Sequence, residues 1–397
     1  MFETRQKISG NFESFPCIPV PNPPARILLP GSKKLSSPSS SIFAELRHLR
    51  EYSSHAARRA TTTTTTATLF TRTLLCTLAL WLLLTLSSKL SPPPLPDLDS
   101  DHPHHDSMAS SALRGLKTVV KGQKMMEGGG VPVYRTIGTS AMRNLDPFLM
   151  LDEFKSPSRD AEMGFPNHPH RGFETCTIML RGSVEHGDHG GNSGVIGPGG
   201  VQWMTAGRGI VHSEFPKSKG DEMLHGFQLW INLPKKDKMC KPRYQDYQGD
   251  RIPIFQGDGY SVRVISGEHS GVSGPVTLRI PGFLFDVRLE GSGSKKFSHD
   301  FPADWNSFAY VYETEGEGAL AGRDPVPRAS HVLANDGTTL EASTEGTLKF
   351  LLFAGKPIDE PIVQYGPFVM NTDEEIQQAF MDYQSGRLQS SDVEMIT

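Results

Sequence analysis

The stretch GFPNHPHRGFETCTIMLRG, residues 164–182, sets His168 and His170 one residue apart just before a strand-like run, with Glu174 four residues further on. An isolated H-x-H is more often a surface pair flanking a turn than a ligand pair, so the rest of the chain has to decide. A second pair at the same spacing, His212 and Glu214 in GIVHSEF, changes the reading. Side chains i and i+2 of a strand share a face. Two such pairs on facing strands would therefore converge three imidazoles and one carboxylate. That donor set, without a thiolate, suits Fe(II), Mn(II), Ni(II), Cu(II) or Zn(II). An octahedral ion held by four protein ligands would keep two positions open for substrate or dioxygen, whereas a closed structural zinc site more often uses cysteine.

The remaining candidates are weaker. Glu174 falls two steps along the strand from His170, farther into a barrel, and ranks behind Glu214. Arg171 and Phe173 are expected to point away from the pair, and Pro169 puts the segment at a strand start or a sheet edge because it cannot donate to a ladder. His186 and His189 flank a glycine turn and are expected to be solvated, as is His225. His299, in FSHDFPADW, has no H-x-H or H-x-E partner, which argues against a second metal site. Cys176 and Cys240 read as small buried hydrophobes. With Cys17 and Cys76 they make four cysteines and no C-x-x-C, so neither a disulfide framework nor a zinc ribbon is expected.

The elements that must position these residues are strands. The chain has 397 residues with 39 Gly and 30 Pro, many between short apolar runs, which favours strands and turns over long helices. GVPVYRTIG, DPFLMLDEF, FETCTIMLRGSVEHGD and MLHGFQLWINLP form one set; YSVRVISG, GPVTLRI, FLFDVRLEG, SFAYVYETEGEG and TLKFLLFAG form a second. Strands so spaced suggest antiparallel sandwiches or barrels, and the similarity of the sets suggests a duplicated β-barrel unit: a domain over 113–247, a second over 248–397. One helix is predicted near the end, in TDEEIQQAFMDYQSGRL, capped by Thr372 or Asp373 and burying Ile376, Phe380 and Tyr383.

Residues 1–112 differ. They carry TTTTTT, SPPPLP and DHPHHD, and composition of this kind predicts disorder. His102, His104 and His105 belong to that linker-like tract. An apolar insert, LLCTLALWLLL, would rise only about 16 Å as a helix against a hydrocarbon core of about 30 Å; extended to 69–86 it is diluted by Arg72 and several Thr. It fits a signal anchor, part of a cleaved organelle-targeting leader, or a leader absent from the working protein, with MASSALRGLKTVVKGQ at Met108 as an alternative start. Residues 1–112 hold 11 Lys/Arg and 8 Asp/Glu, leaving 29 and 36, a net of −7, for the rest. Such a domain has no basic footprint for nucleic acid.

GFPNHPHRGFET, GVQWMTAGRGIVHSE, GFQLWINLP and GPFVMNTDEEI together resemble the pirin family of the cupin superfamily, over roughly residues 119–385. The resemblance implies an all-β bicupin: two antiparallel β-barrel domains with a C-terminal helix packed against them. It implies one metal, usually iron, in the N-terminal domain on His168, His170, His212 and Glu214, and a C-terminal domain without metal. The Glu174 position resembles a ligand of other cupins, not of pirins. Where the family commonly has Gly-Asp before VQWMTAG, this chain has Gly199 and Gly200, a change expected to loosen the turn and to remove no ligand.

Two activities follow from the resemblance. Some pirins are quercetin 2,3-dioxygenases that open a flavonol ring with dioxygen; others are iron-dependent, redox-responsive co-regulators that bind transcription factors without turnover. The first reading gives Glu214 the role of base, with Glu174 second to it, and lets Gln202, Trp203 and Met204 close the pocket if they are not plain core. A metal-bound protein without turnover is a third reading. The family's location is cytoplasmic or nuclear.

Overall fold

The computed structural model describes residues 112–390 and 392–396, so the leader, its apolar insert and its histidines lie outside the described residues. Two barrels are built from facing sheets. In the first, an eight-stranded sheet runs Gln123–Glu127, Val131–Arg135, Phe148–Pro157, Met223–Asn232, Phe173–Arg181, Val201–Thr205, Arg243–Tyr247 and Glu394–Ile396. Opposite it lies a four-stranded sheet of Phe165–His170, Ile210–Pro216, Val184–Asp188 and Ser193–Ile196. The second barrel repeats the plan: a seven-stranded sheet from Leu116–Lys121 to Ile254–Gln256 faces the three strands Lys295–Asp300, Thr339–Thr344 and Gly318–Leu320.

Alternation along the long strands gives each large sheet two buried faces. One lines its own barrel. The other meets the opposite large sheet, where Phe148, Trp203, Phe227, Leu229, Phe308, Tyr310 and Phe353 share one core. Phe148 meets Phe308 edge-on at 5.1 Å, and Phe227 meets Tyr310 at 5.3 Å; such pairs add about 0.5–1.5 kcal/mol beyond their burial. Trp203 is therefore core, and Met204 packs with Tyr244 in a smaller cluster.

The first and last described strands exchange barrels. Leu116–Lys121 pairs with Ala329–Leu333 in the second barrel, while Glu394–Ile396 pairs in parallel with Arg243–Tyr247 in the first. One expected strand is missing: GPVTLRI forms no ladder. Its backbone makes an isolated bridge, Val276 N donating to Ile265 O at 3.1 Å, and then meets a side chain, Thr277 N donating to Gln245 Oε1 at 2.9 Å and Gln245 Nε2 to Thr277 O at 3.0 Å, while Val276 and Ile280 enter the shared core.

The predicted helix spans Asp373–Gln384 and opens with a full capping box between Thr372 and Glu375. Ile376 is buried, and Phe380 and Tyr383 pack beside it against Phe368. Two buried cations fasten this C-terminal region to the first barrel. Arg171 Nη1 donates to Asp382 on the helix at 2.9 Å and its Nε to Arg208 O at 2.6 Å. Lys238 Nζ donates to Gly172 O, Asn232 Oδ1 and Val369 O at 2.9, 2.6 and 3.0 Å. Gly172, at φ +88°, lies so close to Val369 that a Cβ there would sit 2.0 Å from its carbonyl oxygen.

The turn before Val201 is held firmly, contrary to the expectation from its glycines. Gly199 N donates to Met179 O at 2.7 Å and Met179 N to Gly200 O at 3.0 Å. The Gly199 carbonyl accepts from the Arg263 guanidinium of the second barrel, and a Cβ on Gly199, at φ +75°, would meet that guanidinium at 2.8 Å.

Candidate metal centre and its pocket

His168 and His170 lie on Phe165–His170, which pairs on one side only, with Ile210–Pro216, as Pro169 requires. In that pairing His212 stands directly opposite His168, and the register shifts between His212 and Glu214 so that Glu214 faces Phe165. The i, i+2 spacing does bring the first pair to one face: the ring centroids of His168 and His170 are 4.7 Å apart, those of His168 and His212 4.4 Å, and those of His170 and His212 5.0 Å. One nitrogen from each ring lies within 4.8 Å of the other two.

The imidazoles are prepared as neutral donors. His168 Nδ1–H donates to Pro166 O at 2.8 Å, which leaves Nε2 with its lone pair. Both ring nitrogens of His212 are buried without a hydrogen-bond partner; those of His170 also lack one in normal geometry, although the Pro367 carbonyl lies close enough to favour its proton. Burial first, and then the His212 charge, pull His168 down to about 4 against the opposing pull of Glu214. Burial, with His186 nearby, takes His212 to about 3, and burial holds His170 well below its ordinary value. Buried imidazoles without partners are anomalous in a finished core and natural where a cation completes them. Three converging nitrogens therefore fit a transition metal ion.

Glu214 is buried beside this group with both oxygens engaged: Thr177 Oγ1 donates to Oε1 at 3.1 Å and Gln228 Nε2 to Oε2 at 3.0 Å. The three-histidine group is thus drawn together without it, and the carboxylate stands next to the group. A narrow recess leads to Glu214, lined by Val131, Val133, Phe154, Phe165, Phe215 and Leu224 with Thr177, Gln228 and Asp152 as its polar groups. Apolar walls with a few convergent polar atoms suit a flat, largely apolar ligand. Gln202, Trp203 and Met204 do not line it.

Several sequence expectations are corrected. Glu174 lies on the opposite face of its strand from Thr177, in the shared core, where Thr205 Oγ1 donates to it at 2.6 Å and burial raises its pKa. Phe173 does not turn away: beyond the turn at Gly172 its ring packs on His170 at 5.1 Å. His186 is buried against Asp246 at 2.8 Å, and His225 against Glu153 at 2.9 Å, where Tyr310 of the second barrel also donates. Cys176 is buried as expected and Cys240 only half so. His299 is not alone, since its Nδ1 lies 3.0 Å from Nδ1 of His269, inside an enclosure of Phe283, Phe285 and Phe297. Sequence reading missed His269 and Gln228, which carry no motif; only strand register against Thr177 could have pointed to Gln228.

Residues 130–231 match the family model described as Pirin, and residues 284–389 that described as Pirin C-terminal cupin domain. A "Pirin-like protein" of Solanum lycopersicum is 49% identical over 265 residues, 66% of this chain and 88% of the relative. "Pirin" of Homo sapiens is 42% identical over 274 residues, 68% of this chain and 91% of the relative. Among solved structures, a quercetin 2,3-dioxygenase from Acinetobacter baumannii is 34% identical with a TM-score of 0.64, covering 71% of this chain and 100% of that one. Among the described residues no helix is long and apolar enough to cross a membrane.

Proposed function

Since the chain belongs to the pirin family, we propose that it is a mononuclear iron protein that opens flavonols of the quercetin type with dioxygen. The observation that carries this reading is the joint placement of three converging imidazoles, those of His170 and His212 buried without a hydrogen-bond partner in normal geometry, and an apolar recess ending on Glu214, in a chain 34% identical to a quercetin 2,3-dioxygenase. His168, His170 and His212 would hold Fe(II), with Glu214 as fourth ligand; Mn, Ni, Cu and Zn suit the same donors. When bound, the metal supplies Lewis acidity toward the flavonol oxygens and an open position for oxygen chemistry.

The chain's own residues do the rest. Val131, Val133, Phe154 and Leu224 enclose the flat rings and exclude water. Glu214 takes the flavonol hydroxyl proton. Thr177 and Gln228 hold its carboxylate through opposite oxygens, so the base is oriented before the ligand arrives. Cleavage of the ring then consumes the flavonolate and dioxygen with no external reductant. The test is oxygen uptake by the iron-loaded full chain with quercetin, admitted after anaerobic loading, together with detection of the ring-opened product; no uptake by metal-replete protein rejects this substrate class.

A second reading, an iron-dependent co-regulator that binds transcription factors without turnover, is favoured by the rim of the recess. Phe215 lines the recess and is exposed, and Met163 and Met223, chain neighbours of the lining residues Gly164 and Leu224, are exposed too; exposed apolar groups beside a recess mark docking surfaces. An Fe(II)/Fe(III) change beside such a rim alters the site charge by one unit, which a bound partner would sense. Stoichiometric iron with partner binding and no oxygen uptake would select it.

A further inference from the structure

The two bonds that Glu214 accepts belong to a longer chain. Gln228 and Trp230 are i and i+2 on Met223–Asn232, so their side chains share the face that lines the first barrel. Trp230 Nε1 donates to Gln228 Oε1 at 3.1 Å, and Gln228 Nε2 donates to Glu214 Oε2 at 3.0 Å. Gln228 also pairs across the ladder with Thr177, which donates to Oε1. The other side of the indole faces the metal-side imidazoles: Trp230 meets the ring of His170 edge-on at 5.2 Å and lies against Phe173 at 4.5 Å.

A donor-only indole settles which way the amide points. Trp230 N–H can only donate, so Gln228 must turn its carbonyl toward it and its NH₂ toward Glu214. That NH₂ can only donate in turn, so Oε2 of Glu214 is held as an acceptor and carries no proton on that side. Oε1 faces a hydroxyl, which donates or accepts equally well. A proton taken up by Glu214 therefore belongs on Oε1, where Thr177 can receive its hydrogen bond without breaking the rest of the chain.

We infer that Trp230 is a positioning residue: through Gln228 it fixes the orientation of the Glu214 carboxylate, and through its ring it fixes His170, so that one side chain aligns two of the four proposed metal ligands. This rests on the reading of Glu214 as a ligand. It adds a specific chain of command, indole to amide to carboxylate, and two residues that no motif marks. Groups that orient a metal ligand typically change metal affinity about 10–100-fold when removed.

The test is a double-mutant cycle on metal-stripped full chain, with Mn²⁺ titrated by calorimetry at fixed pH. Trp230→Phe keeps a ring against His170 and deletes only the donor; Gln228→Leu deletes the amide. Each should weaken Mn²⁺ binding about tenfold or more, and the double variant should be no weaker than Gln228→Leu alone, because the indole donor acts only through the amide. Metal-free melting within a few degrees of wild type qualifies each variant, and Gln228→Met replaces Gln228→Leu if the latter does not fold. Unchanged affinity in Trp230→Phe overturns the inference, and so do losses that multiply in the double variant. Glu214→Gln in the same titration separates the two failures. If it leaves affinity unchanged, Glu214 is no ligand; if it weakens binding while Trp230→Phe is silent, the ligand stands and the positioning chain falls.

Discussion

His168 and His212 are directly opposed on adjacent antiparallel strands, with ring centroids 4.4 Å apart. The ladder fixes opposed positions, and the His212 strand is paired on both sides, so two of the three imidazoles are placed by the sheet itself and not by a loop. The third, His170, follows from the two-residue period of the same strand. Deleting both residues of the first pair should therefore empty the centre: the full chain is expected to purify with about one equivalent of transition metal, and His168→Ala/His170→Ala with little. Elemental analysis checks this, and a full equivalent in the double variant would place the metal elsewhere.

Lys238 ties that centre to the C-terminal region. Its ammonium reaches the carbonyls of Gly172, two residues past His170, and of Val369, ahead of the helix Asp373–Gln384. Lys238→Met keeps the bulk and strands three buried acceptors, each deprived of a bond worth about 1–3 kcal/mol when left unmade. The variant should lose on the order of 3 kcal/mol by urea unfolding. A loss below measurement error would mean that the acceptors find other partners.

How much of this could be read from residues alone divides along strand periodicity. The convergence of His168, His170 and His212 was legible because a two-residue period needs no knowledge of partners, and the terminal helix because its cap and apolar face are local. Glu174 takes the opposite face from the one its spacing to His170 predicts, because the turn at Gly172 restarts the alternation and also swings Phe173 toward His170. The buried states of His186 and His225 were illegible for a different reason. Their partners, Asp246 and Glu153, are 60 and 72 residues away and carry no pattern. GPVTLRI forms only one bridge, at Val276, because its next backbone groups, on Thr277, are taken up by the Gln245 side chain.

The second barrel should hold no metal of its own, since His299 meets one imidazole, His269, and otherwise aromatic rings. It should instead confer acid sensitivity. Burial, and then the neighbouring His269, lower His299 from 6.5 to about 4, with Asp300 opposing. The unfolded chain therefore takes up a proton below about pH 6.5 that the folded chain refuses until about 4. Stability is complete above this window and falls as pH drops through it, by on the order of 2 kcal/mol after allowance for partial exposure. His299→Phe should shrink the drop between pH 7.5 and 4.5 by about that amount and leave metal content untouched. An equal drop in both proteins would assign the acid sensitivity elsewhere.

We propose that the folded part needs nothing before about Met108 but does need Arg114. Arg114 is buried, with its guanidinium 4.2 Å over Phe301 and Nη1 donating to Trp305 O, Ser307 Oγ and Ala334 O at 3.0, 3.2 and 3.3 Å. A fragment of residues 108–397 should be soluble and melt cooperatively, whereas 116–397, which lacks Arg114, should melt lower by the loss of about 2–4 kcal/mol. Aggregation of the longer fragment alongside a soluble full chain would show that the leader contributes to the fold.

Glu214→Gln separates chemistry from binding. The amide keeps a neutral oxygen at nearly the same volume, still able to accept from Thr177 or Gln228, but it cannot take a proton. If Glu214 is the base for the flavonol hydroxyl, turnover should fall by about 10²-fold or more, as general-base deletions usually do, while metal content falls far less. If the protein is a co-regulator, the same substitution removes one negative charge from beside the imidazoles and shifts the iron toward its reduced state, so a redox-dependent partner would change its affinity with no turnover to lose. Oxygen uptake with quercetin and metal content, measured together for wild type and variant, distinguish the two. Equal uptake by both would leave the carboxylate without a role in proton transfer and require the flavonol to reach the metal already ionised.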